Sequence, residues 1–181
     1  KSTLLALLAG EMAPQAGEVA ALPATLLTQR TELFQDSLRD NLRLAAPDAD
    51  DARLNAALAA AGLADHVAQL PQGLDAPLGE SGLGLSGGQG RRLALARLLL
   101  RPTALWLLDE PTDGLDPDTA RDVLARLATQ AEGRTLVIAT HIRREAELAD
   151  CLIILDHGRK AGLVRRGEDG FAAALKALRP D

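Results

Sequence analysis

Residues 104–110 read ALWLLDE and residues 135–141 read TLVIATH. Each is an apolar run of strand length that ends in side chains able to do chemistry, Asp109 and Glu110 in the first and His141 in the second. Runs that stay apolar at consecutive positions suit strands covered on both faces, as in a parallel sheet flanked by helices. Residues 117–131 between them and 143–149 after them carry helical patterning, and CLIILDHG at 151–158 is a third apolar run. This alternation predicts an α/β fold built on a parallel sheet. Ligand-binding groups collect at the C-terminal edge of such a sheet, where Asp109 and Glu110 fall.

Toward the N-terminus, an apolar stretch follows Lys1-Ser2-Thr3, breaks at Pro14 and Gly17, and resumes at Ala24–Leu27, which predicts helix, turn and strand. From Leu33 to Leu100 the pattern is helical. Asp36 is a candidate N-cap for DSLRDNLRLA, and residues 48–70 are rich in Ala and Leu with a break at Gly62. The expected organisation is one domain over 1–181, with an α/β core from 1–32 and 101–181 and a helical subdomain over 33–100. Residues 167–178 predict a last helix, with Phe171, Leu175 and Leu178 on one face.

The 181 residues suit a single domain, and 47% hydrophobic content supplies a core without cross-links. A net charge of −5 and only three aromatics, Phe34, Trp106 and Phe171, argue against a nucleic-acid partner. Cys151 is the only cysteine, which excludes an internal disulfide and a multi-cysteine zinc site. No apolar run approaches the roughly 20 residues that span a bilayer. Starting at Lys1 without a methionine, the sequence reads as a fragment.

Lys1-Ser2 before an apolar helix has the form of the end of a phosphate loop, G-x-x-x-x-G-K-[ST], with its glycines upstream; a Lys at a chain end beside a Ser helix cap reads the same. Asp109 offers the oxygen ligand a hard cation such as Mg²⁺ prefers, and Glu110 a base for an attacking water; alternatively the two acids end a strand. In Leu85-Ser86-Gly87-Gly88-Gln89, two glycines expose backbone N–H groups where the helix over Gly90–Leu100 begins, which makes either an anion cradle or a flexible capped turn.

Together these strings resemble the nucleotide-binding domain of the ATP-binding-cassette (ABC) transporter family. LSGGQ at 85–89 is similar to its signature, Asp109-Glu110 with their strand to Walker B, Gly114-Leu115-Asp116 to the D-loop, His141 to the switch histidine and Gln29 to the Q-loop. The resemblance implies a P-loop NTPase (RecA-like) core with a helical subdomain, its N-terminal strand and phosphate-loop glycines lying before Lys1. It further implies ATP and Mg²⁺ as ligands and a head-to-tail dimer sandwiching two nucleotides. Lys1, Ser2, Thr3, Gln29, Asp109, Glu110 and His141 would serve one nucleotide, with Ser2, Gln29 and Asp109 toward Mg²⁺. Ser86, Gly87, Gly88 and Gln89 would serve the other, with Asp116 in the D-loop. Glu110 and His141 are the implied catalytic pair.

A transmembrane domain, on the same chain or another, is the other implied partner, faced by Leu33 to Leu42. The implied location is the cytoplasmic face of the inner membrane. Gly79-Glu80-Ser81-Gly82 and LFQDSLRDNL are similar to exporter-type cassettes. Arg91-Arg92 and DEPTDGLD at 109–116 are similar to one subunit of bacterial heterodimeric exporters of cysteine and glutathione that support cytochrome bd assembly. The alternatives are a soluble cassette ATPase acting on DNA or ribosomes and a regulatory cassette that binds ATP without turnover. The 85 positions from Lys1 to Ser86 hold no heptads, against a DNA-maintenance type with a long coiled coil. Intact Glu110 and His141 stand against a silent cassette. Outside these motifs His66, His157 and Cys151 read as packing or surface residues, and Arg91, Arg92, Arg97 and Arg101 as a solvated or interface face.

Overall fold

The computed structural model describes residues 1–79 and 84–180. Glu80, Ser81 and Gly82 of the exporter-like stretch lie outside the described residues. Strands β1 (Ala24–Leu27), β2 (Leu105–Asp109) and β3 (Thr135–Ala139) form a parallel sheet in the order β1-β2-β3. The register pairs Leu27 with Leu108 and Asp109 with Ala139, so the three C-terminal ends lie side by side.

Strand β2 is central and buried at all five positions, which is why its run is apolar without alternation. Its side chains still divide by parity. Leu105 and Leu107 meet Leu5 of helix α1 (Ser2–Leu8), while Trp106 and Leu108 join a much larger cluster on the opposite face. The Arg134 guanidinium stacks over the Trp106 ring at 4.7 Å.

That larger cluster is supplied by helices α2 (Leu38–Arg43), α3 (Asp51–Ala60), α4 (Ala64–Ala68), α5 (Gly87–Leu100) and α6 (Pro117–Gln130). Leu54 of α3 and Leu93, Leu95 and Leu98 of α5 are buried in the same cluster as Leu108 of β2. Each of the longer helices starts on a side-chain cap: Asp50 accepts from Arg53 N–H, Ser86 from Gln89 N–H, and Asp116 from Asp118 and Thr119 N–H. Helix α2 corrects one expectation. Its cap is Ser37, whose hydroxyl accepts from Asp40 N–H, and Asp36 instead accepts from Ser37 N–H one residue earlier.

Two further departures lie in where an element starts and in what it pairs with. Helix α5 begins at Gly87, within the glycine string, because Ser86 and Gln89 close a reciprocal capping box there. The run at 151–156 does not join the parallel sheet. As β4 (Cys151–Asp156) it forms an antiparallel hairpin with β5 (Arg159–Arg165), a strand the polar sequence RKAGLVR does not announce. The turn is His157-Gly158, both at positive φ (45° and 77°), as the type I′ hairpin turn requires. Helices α7 (Arg143–Ala146) and α8 (Asp169–Lys176) complete the fold, with Phe171 of α8 buried.

Candidate active site

The C-terminal ends of the three strands bring residues far apart in sequence to one carboxylate. Glu110 follows β2, and His141 Nδ1 lies 2.7 Å from its Oε1. Lys1 Nζ is 3.6 Å from the same oxygen, and Gln29 Nε2 donates to Glu110 Oε2 at 3.1 Å and to Asp113 Oδ2 at 2.9 Å. Lys1 caps α1, Gln29 lies two residues beyond β1, and His141 two beyond β3. Sheet register therefore sets the spacing of the group.

Glu110 has φ of +46°, a left-handed conformation costly for a side chain with a Cβ. Its N–H donates to Ala139 O at 2.9 Å, and its carbonyl accepts from Asp113 N–H at 3.1 Å. The carboxyl is thus aimed by a strained turn pinned on both sides.

Asp109, at the end of β2, is 8% exposed. Asp109 ends β2, Ser2 opens α1 and Gln29 follows β1, and each carries a side-chain oxygen of the kind a hard cation prefers. Among the described residues no cluster of three or more His, Cys, Asp or Glu forms a self-contained metal cage. Thr3 lies in the exposed first turn of α1.

Ser86, Gly87, Gly88 and Gln89 form a separate group at the start of α5. Gln89 Oε1 accepts from Ser86 N–H at 2.8 Å and Ser86 Oγ from Gln89 N–H at 3.2 Å. Among the described residues no hydrogen bond joins these four to Lys1, Gln29, Glu110 or His141. Gly88 sits where a Cβ would come within 3.0 Å of the Thr119 methyl, so its bare backbone permits the approach of α5 to α6. Asp116 caps α6, and the Thr119 and Asp118 N–H groups hold its carboxyl below the usual range.

The structure also uses residues that sequence reasoning passed over. His66 Nδ1 is 3.2 Å from Gln89 Nε2, so this histidine supports the signature loop. Buried Glu145 accepts from Thr112 N–H at 2.7 Å and from its hydroxyl at 2.5 Å, tying α7 to the segment after Glu110. The arginines after the signature are not a solvated face. Arg91 is buried on main-chain carbonyls of both loops flanking Glu110, Arg92 pairs with Asp122, and Arg97 reaches Asn41 and Glu32. Arg101 alone stays exposed, bonded to Leu44 O. Helical spacing shows that they share a helix but not that neighbouring segments cover it.

Residues 1–113 match the family described as ABC transporter. The chain belongs to the ABC transporter family. It is an ATPase domain of the exporter type on the P-loop NTPase fold. It is 42% identical over 143 residues to the glutathione/L-cysteine transport system ATP-binding/permease protein CydC of Haemophilus influenzae, covering 78% of this chain and 24% of that protein. It is 38% identical over 162 residues to an ATP-dependent lipid A-core flippase of Pseudomonas fluorescens, covering 84% and 26%. A bacterial Atm1-family ABC exporter with ATP bound superposes with a TM-score of 0.86 at 31% identity, covering 98% of this chain and 34% of that one. This ABC domain thus spans about a quarter to a third of the length of these relatives.

Proposed function

We propose that this domain powers export by hydrolysing ATP, with Glu110 as the base that activates the attacking water. The observation that carries the reading is the convergence of Lys1, Gln29 and His141 on the Glu110 carboxylate at the sheet's C-terminal edge. In this reading Glu110 takes a proton from water as the water attacks the γ-phosphorus in line with the leaving ADP oxygen. Lys1 brings an ammonium charge against the phosphate oxygens. His141, hydrogen-bonded to Oε1, fixes which carboxylate oxygen faces the water, and Gln29 holds the other. Ser2, Gln29 and Asp109 are the residues that would hold Mg²⁺, which supplies charge neutralisation at the phosphates.

The separation of the Ser86–Gln89 group from the Glu110 group supports a head-to-tail dimer, in which each chain lends its signature loop to the partner's nucleotide. Two lobes, a core over 1–32 and 101–181 and a helical part over 33–100, suit that arrangement. For the transmembrane partner we propose the open cleft of about 320 Å³ beside β1, bordered by Thr28, Phe34, Leu44 and Arg97. Exposed Phe34 and Leu44 give it an apolar rim. In this reading the domain sits on the cytoplasmic face of the inner membrane.

For the cargo we propose a small thiol, cysteine or glutathione, exported through a heterodimer. Support comes from Arg91-Arg92 and DEPTDGLD at 109–116 and from relatives named for glutathione/L-cysteine transport at 35–42% identity.

The test is Glu110→Gln in the full-length protein with its partner. ATP turnover should fall by about 100-fold or more while ATP is still bound and a closed dimer accumulates. Undiminished turnover would remove Glu110 from the role of base. Stimulation of wild-type turnover by glutathione, and not by lipid A, checks the cargo.

A further inference from the structure

We propose that Arg91 is a positioning residue for ATP hydrolysis, holding the Glu110 and Gln29 turns in place through their main-chain carbonyls. The inference rests on the reading of Glu110 as base. Arg91 is 4% exposed, and every hydrogen bond it makes among the described residues goes to a backbone oxygen beside the reacting centre. Nε donates to Pro111 O at 2.6 Å and Nη1 to Thr28 O at 2.6 Å, with Gln29 O at 3.4 Å. Nη2 reaches Glu110 O at 3.1 Å and Asp109 O at 3.3 Å.

One planar fork therefore spans the two loops whose side chains, Gln29 and Glu110, are bonded to each other at 3.1 Å. The turn it grips is the strained one, with Glu110 at φ +46°. A left-handed glutamate persists only where its surroundings over-determine it, and Arg91 donates to the carbonyl of Glu110 and to those on either side.

Burial pushes the Arg91 pKa down, and the carboxylates of Glu145, Asp109 and Asp113 oppose that shift. The cation is thus held by carbonyl dipoles and by acids at a distance. Its neighbour Arg92 pairs directly with Asp122, so the two adjacent arginines do different work. Lysine at position 91 keeps the charge and the apolar stem but presents one nitrogen, which cannot bridge Thr28, Glu110 and Pro111 together.

The experiment compares wild type, Arg91→Lys, Arg91→Gln and Glu110→Gln in the full-length protein with its partner. It measures kcat and KM for ATP, and amide hydrogen exchange at Glu110, Asp113 and along β2. The Glu110 and Asp113 amides donate to Ala139 O and Glu110 O, so they report the turn directly. For Arg91→Lys, kcat should fall about tenfold or more with KM within about twofold. Exchange should rise at Glu110 and Asp113 while β2 stays as protected as in wild type. Arg91→Gln should show the same pattern and serves if the lysine variant does not fold. Wild-type kcat and exchange in Arg91→Lys would overturn the proposal, as would loss of protection throughout β2, which marks a merely structural role. Turnover abolished by Glu110→Gln but unchanged in Arg91→Lys removes only this inference. Turnover indifferent to Glu110→Gln removes the reading on which it rests.

Discussion

Asn41 illustrates how a single amide shapes the segment that follows the Q-loop glutamine. It is fully buried; its oxygen accepts from Phe34 N–H at 3.0 Å and from Arg97, while its nitrogen donates to Phe34 O at 3.0 Å and Ser37 O at 2.9 Å. Truncation leaves several buried polar groups without partners, each costly to leave unsatisfied. We expect Asn41→Ala to lower unfolding stability by about 2 kcal/mol, read from the denaturant midpoint, and to speed exchange at the Phe34 amide. A midpoint unchanged from wild type would show that water replaces the amide. The sequence contained the residue but not its role, because all its partners except Arg97 are backbone atoms, which leave no mark in composition.

Between elements, one close approach involves a glycine. Gly62 follows α3 at φ +78°, and an added Cβ would collide with Arg92 Nη1 and come within 2.7 Å of Arg126 Nε. Those guanidiniums flank Asp122 and join α5 to α6, while Arg126 also donates to Ala59 O and Ala60 O at the end of α3. Gly62→Ala combines backbone strain with disruption of that junction, so a loss of about 1–3 kcal/mol in thermal or chemical unfolding is expected. Full stability would mean that the arginines move aside at no cost. At the head of α5, Ser86→Ala removes half of a capping box and should cost about 1 kcal/mol, with faster exchange confined to the first turn of the helix. The helix was legible in the sequence at 90–100. Its start at Gly87 was not, since glycine propensity argues against a helix that the cap and the contact with Thr119 then fix.

For the whole molecule, acid stability follows from aspartates held below their ordinary value of 3.8. Asp40 is lowered first by the Ser37 hydroxyl, Asp75 by Arg39 and Asp116 by the Thr119 N–H; for Asp122, burial raises the pKa but Arg126 and Arg92 outweigh it. A carboxyl depressed in the folded state stabilises fully above its unfolded pKa and loses that contribution as pH falls through the folded one. The melting temperature should therefore hold down to about pH 5 and begin to fall below about pH 4. Asp116→Asn, which keeps a capping oxygen but does not titrate, should flatten part of that descent. An unchanged acid limb in this variant would show that the cap carboxyl contributes nothing to it.

The sequence alone determined the strand runs at 105–109 and 135–139, the helical stretch between Leu33 and Leu100, and the side chains proposed to carry chemistry. Local patterns specify these: unbroken apolar runs, capping residues and short strings such as Ser86–Gln89. Tertiary structure decided what those patterns cannot encode. It set the pairing of β4 with polar β5 through the His157-Gly158 turn, the gathering of Lys1, Gln29 and His141 around Glu110, and the burial of Arg91 on five carbonyls. The hairpin depends on a partner strand without an apolar pattern, and the other two on partners 18 or more residues away, many of them main-chain atoms identical at every position. The identity of a side chain therefore says what it can donate, and only the folded backbone says to whom.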